Sequence, residues 1–167
     1  MKTKFFILTF ILAFTAASVL AQDKVMSSEM EKITGKWIGK LIYLDYQTNK
    51  PYEMPANLEV VRIGKSDNFK FSNTYPNESS ANSTDTFEIS NEGKLLDNET
   101  VKSKKTLPNG DLEIVTEVAG KDGNDDKEAL LRHTYLISEI KFEIKKEVLF
   151  SGSEQWVLRH SYLYVRI

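Results

Sequence analysis

Two patterns of apolar and polar positions divide the chain. Lys2 and Lys4 precede an uncharged apolar run, Phe5 to Phe14, and small residues then lead to Val19-Leu20-Ala21. Charge, apolar stretch and a small residue at the cut predict a secretory signal peptide over Met1–Ala21, removed before Gln22. A spanning helix needs about 20 strongly apolar residues, and Thr9, Thr15, Ala16, Ala17 and Ser18 dilute this run. From Gln22 to Ile167 the period changes to two. Runs rich in Val, Ile, Thr, Tyr and Phe alternate with turn clusters, the signature of antiparallel strands.

The alternation predicts strands near Lys36–Tyr46, Asn57–Gly64, Asn68–Tyr75, Thr84–Ser90, Lys94–Asp97, Asp111–Ala119, Glu128–Ser138, Lys141–Phe150 and Gln155–Arg166. Asn91-Glu92-Gly93, Pro108-Asn109-Gly110, Asp122-Gly123-Asn124 and Ser151-Gly152-Ser153 separate some of them with the positive-φ residues that tight turns need. Only Gln22–Thr34 leans helical, with Ser27 or Ser28 able to cap a short turn that Gly35 ends. Asn77–Thr86 reads as a long polar loop at one rim. Short connections make sequence neighbours antiparallel neighbours in space. The expectation is one all-β domain, an up-and-down barrel of eight or nine strands with a short N-terminal helical turn. Closure removes both exposed edges, and a two-sheet sandwich is the alternative.

Composition narrows the chemistry. The chain has no Cys, so packing and sheet hydrogen bonds must hold an exported domain without disulfides, and thiol chemistry and thiolate metal sites are excluded. The absence of Cys at the cut also excludes a lipid-anchored lipoprotein. Losing Lys2 and Lys4 with the leader takes the formal net charge from −2 to about −4. Lys102, Lys104 and Lys105, read as a loop, are the only basic cluster, so a nucleic-acid partner is set aside. The expected location is the periplasm or the medium.

Gly35-Lys36-Trp37 follows the helical turn and opens the first long strand, and Tyr164-Val165-Arg166-Ile167 closes the last. This arrangement resembles the calycin superfamily: lipocalins, avidins, fatty-acid-binding proteins and small bacterial lipocalin-like domains. The resemblance implies that Trp37 closes a barrel floor beside Gly35, with a basic residue of the last strand over its ring. Arg166 is the first choice and Arg159 the second. The departures matter too. Gln47–Ala56, with Pro51 and Pro55, is too short and broken for the helical lid of fatty-acid-binding proteins. Only Trp37 and Trp156 exist, whereas an avidin's biotin cage needs several.

Parity on the last strand places Trp156, Leu158, His160, Tyr162, Tyr164 and Arg166 on one face. If Arg166 covers Trp37, that face looks inward, and Trp156, His160, Tyr162 and Tyr164 join Tyr43, Phe71 and Tyr135 around a lumen. Aromatic rings with polar tips suit a small, mostly apolar or amphipathic ligand held inside; a solid packed interior is the alternative. His133 and His160 could ligate haem iron or a metal, but no third ligand stands at readable spacing, so no cofactor and no metal are assigned. Asp122, Asn124 and Asp126 open like a calcium loop, then fail at Lys127 and His133. Asn77-Glu78-Ser79, Asn82-Ser83-Thr84 and Asn98-Glu99-Thr100 are sequons only in a eukaryotic pathway. No nucleophile elbow exists, and no catalytic residue is assigned. Two rivals accompany the ligand-binding reading. A filled interior would favour an interaction module for another envelope protein. An open cavity with a buried carboxylate or His near its middle would favour a barrel enzyme such as an isomerase.

Overall fold

The structure, a computed structural model, describes residues 23–45, 47, 48 and 50–167. The expected leader Met1–Ala21 and its junction with Gln22 lie outside them. A helical turn, α1 (Ser27–Met30), runs on into a tighter 3-10 turn at Glu31–Ile33. Its cap is not a serine. The Glu29 carboxylate accepts a hydrogen bond from the Met26 N–H at 2.8 Å, and that places Met26 at the start.

The strands follow as β1 (Gly35–Asp45), β2 (Lys50–Pro55), β3 (Asn57–Arg62), β4 (Asn68–Thr74), β5 (Ser83–Ser90), β6 (Leu95–Leu96), β7 (Glu99–Thr106), β8 (Leu112–Asp122), β9 (Lys127–Ile137), β10 (Lys141–Phe150) and β11 (Val157–Arg166). Consecutive strands pair antiparallel except at β2, where β3 pairs with β1 instead, and β11 pairs back onto β1. The result is a closed antiparallel barrel of ten strands with β2 as an additional strand.

That exceeds the eight or nine strands the pattern predicts, for two reasons. Pro51 and Pro55 make Gln47–Ala56 read as a link, yet β2 pairs only with β1 among the described residues, and an edge strand tolerates proline. Lys102, Lys104 and Lys105 make β7 read as a loop. Instead Lys105 and Lys102 face out toward Glu113 and Glu117 on β8, while Lys104 turns in to Glu29 of α1 at 2.9 Å. The polar stretch Asn77–Thr86 is also shorter as a loop than its composition suggests, because Ser83–Thr86 already pair with β4.

One end of the barrel is filled. Met30, Ile33, Trp37, Phe69, Leu96, Ile114, Ile137 and Phe142 are buried there under the N-terminal turn. Trp37 Nε1 donates to the Ile33 carbonyl at 2.8 Å, and the Arg166 guanidinium lies 4.1 Å from the Trp37 ring centre. Arg166 also donates to the carbonyls of Thr34, Lys32 and Glu139, so one side chain joins the helical turn, β11 and the β9–β10 turn. Gly35 has φ +115°, and a Cβ there would sit 3.1 Å from Arg166 Nη1. Only glycine serves at that point.

The wall is uneven. β6 is two residues long, and Asp97 and Asn98, both at positive φ, turn the chain straight into β7. Above that turn, β5 has β4 as its partner but none on its other edge among the described residues, and β8 beyond Glu117 pairs only with β9. A gap therefore opens in the upper wall between β5 and β8.

Candidate functional site in the upper barrel

Above the floor the inward-facing side chains are only partly covered. Tyr43, Phe87, His133, His160 and Tyr162 are half-buried, whereas Phe71 and Tyr135 beside them are buried. The rings make a continuous lining. Phe71 stacks on Phe87 at 4.7 Å, Phe87 meets the edge of Tyr135 at 5.7 Å, and His133 lies 6.3 Å from Tyr135 and 6.4 Å from His160. His160 meets Tyr162 at 5.4 Å, and the Tyr162 hydroxyl shares a 2.8 Å hydrogen bond with that of Tyr75. Such rings combine apolar area with placed polar groups.

Five of the seven residues expected around the lumen, Tyr43, Phe71, Tyr135, His160 and Tyr162, meet there. Tyr164 points inward but lower, stacked against Phe142 at 6.1 Å and buried in the floor packing. Trp156 is a correction. Its ring lies under the Arg132 guanidinium, 3.7 Å away, and Arg132 pairs at 2.7 Å with Glu117 on the outer face of β8. The cause is a bulge. Lys146 pairs with His160 but Glu147 pairs with Leu158, leaving Arg159 as the extra residue on β11. One inserted residue reverses the alternation. Leu158 and Trp156 therefore turn outward, and Arg159 turns in.

Arg159, the second choice for the floor, instead sits at the open end. Its Nε lies 3.1 Å from Asp122 Oδ1, and Lys146 Nζ lies 2.7 Å from Asp122 Oδ2. Asp122 thus leaves the hairpin turn suggested by its sequence and anchors two cations. A cavity of about 440 Å³ opens here, bounded by Tyr43, Asp45, Asp122, Lys146, Arg159 and His160. Burial, with His133 and Lys146 nearby, pushes the His160 imidazole down to about 4, so it is neutral at pH 7.

Residues that the pattern did not assign complete the opposite wall. Glu99, at the start of β7 beside the gap, places its carboxylate 2.8 Å from His133 Nδ1 and accepts a hydrogen bond from Thr116 Oγ1. Glu99 and His133 side chains are 12% and 18% exposed, so the pair is nearly withdrawn from water. Asp97 is raised above its usual value by burial and by Glu99. Burial likewise drives the Tyr135 phenol well up. Parity with Tyr135 could have put His133 in the lumen, and parity with Ile89 could have placed Phe87. Nothing signalled Glu99, because β7 reads as a loop.

No family model and no curated protein matches the chain. Solved structures do. Rv2717c from M. tuberculosis is 15% identical over 87% of this chain and 99% of its own, with a TM-score of 0.51. A protein of unknown function of the DUF3598 family from Nostoc punctiforme is 11% identical, with a TM-score of 0.41, over 91% of this chain and 53% of its own. The likeness to Rv2717c extends to the fold. It carries no activity.

Proposed function

We propose that this protein is an exported lipocalin-like barrel that binds a small amphipathic molecule in its upper lumen, with a flat apolar body among the rings and a polar group at the open end. The observation that carries the reading is the contrast along the barrel axis. Rings are closely buried below, while Tyr43, Phe87, His133, His160 and Tyr162 face inward yet stay partly exposed. A filled barrel has no such unfinished lining. Lys146 and Arg159 at the rim favour an anionic polar group. The stack of Arg166 on Trp37 supports the calycin resemblance, and the apolar run before Gln22 supports export.

Anilinonaphthalene sulfonate has the required shape and charge. Saturable binding in the micromolar range, about −8 kcal/mol, weakened about tenfold by Tyr43→Ala or Tyr162→Ala, is the expected result. Tyr164→Ala is unsuitable, since Tyr164 supports the floor. A second reading has its own observation. A groove of about 610 Å³ lies on the outer face where β1 meets β11, with Ile38, Pro55, Leu163 and Val165 along it and the Lys40–Glu53 ion pair at its edge. Exposed apolar surface of this kind suits an envelope protein partner. If Val165→Glu abolishes probe binding and the lumen variants do not, the interaction reading replaces the lumen reading.

A further inference from the structure

We propose that Glu99 and His133 form a proton-abstracting pair that faces the lumen and acts on flat, mostly apolar compounds bearing a C–H made acidic by an adjacent carbonyl or imine. This rests on the reading that the lumen takes such a body. Three observations carry it. The first is geometry: both Glu99 oxygens lie within 2.9 Å of Nδ1, so that nitrogen carries the proton and Nε2 is left as the base. Nε2 has no hydrogen bond among the described residues. The second is restraint. Thr116 Oγ1 donates to the same carboxylate and fixes its orientation, the arrangement in which a third group positions the base.

The third is what surrounds the pair. His133 shares its inward face with Tyr135 on β9 and stands opposite Thr116 on β8 and Lys146 on β10 in the strand register. His160 of β11 faces it across 6.4 Å, and Asp97 in the β6–β7 turn lies near it. The neutral His160 ring is able to donate to an oxygen that gains negative charge. The gap above β6 gives a side entrance beside Glu99. Taking a proton from the carbon next to a carbonyl and returning it two atoms along the conjugated chain breaks one C–H bond and forms another. The electron pairs shift within the substrate, and no co-reactant is required.

Nitrobenzisoxazole is a probe with the right body. Abstraction of its ring C–H by Nε2 sends the C–H pair into a new nitrile bond, breaks the N–O bond and releases a coloured cyanophenolate; the imidazolium then returns its proton to water. The wild-type protein should show saturable turnover about 100-fold or more above free imidazole at equal concentration. His133→Ala should abolish it, with partial rescue by added imidazole. Glu99→Gln keeps an acceptor for Nδ1 but no charge, so a positioning role predicts a lower kcat with a displaced pH midpoint. An unchanged midpoint would show that Glu99 is structural and overturn its role. Anilinonaphthalene sulfonate binding, measured on each variant, separates the two proposals. If the wild type binds this dye without accelerating the elimination, the proton-transfer proposal fails and the lumen reading stands. If it does neither, both fail.

Discussion

Trp37 is where a single side chain matters most to stability. It fills the floor, donates to Ile33 and carries Arg166 on its face. Trp37→Ala should cost about 3–5 kcal/mol in urea unfolding. Arg166→Ala should cost about 2–3 kcal/mol, because stacking and three carbonyl contacts are lost together. Arg166→Lys should recover little, since an ammonium cannot reach Thr34, Lys32 and Glu139 at once. His160 gives a pH dependence. The unfolded chain takes up a proton near pH 6.5, whereas the folded imidazole holds out to about 4. Its contribution is complete above about pH 6.5 and is lost as the pH falls toward 4, on the order of 2–3 kcal/mol. Unfolding measured at about pH 7 and pH 4.5 should show a smaller drop for His160→Asn than for the wild type. Parallel drops would show that His160 is not held neutral.

Among the elements, β11 is the most instructive. Alternation from Arg166 back to His160 is legible in the sequence and correctly puts Tyr162 and Tyr164 inside. It fails at Arg159 because a bulge has no signature in hydrophobic period. Trp156 is therefore a poor ligand reporter. Trp156→Phe should leave dye affinity within about twofold, while Tyr162→Ala weakens it about tenfold, as fluorescence titration would show. The same limit explains β2 and β7. Prolines on an edge strand and lysines alternating between Glu29 and the outer glutamates both resemble loop composition, so the hydrophobic period yields two strands fewer than the fold has. Glu99 is hidden with β7 for the same reason. The closed antiparallel architecture was nonetheless readable, because Gly and Asn turns and period-two runs repeat along the chain.

For the whole molecule, the two halves of the barrel should differ in dynamics. β9 is paired on both sides along its length, while upper β5 has one partner among the described residues. Hydrogen exchange should be slowest in β8 to β10 and fastest on the open edge of β5 near Thr84–Phe87, a difference that bound dye should reduce. Equal protection would mean that the gap is closed in solution. The β1–β11 pairing has a kinetic consequence as well. Arg166 bonds to Thr34 across 132 positions of sequence, and Trp37 waits for the same partner. Neither the floor nor the ring exists until strands at opposite extremes of the described chain have met, which demands a long-range closure before most of the burial is gained. A barrel joined this way should close in one late, cooperative step, so that stopped-flow refolding should show Trp37 burial in the same phase as β1–β11 pairing.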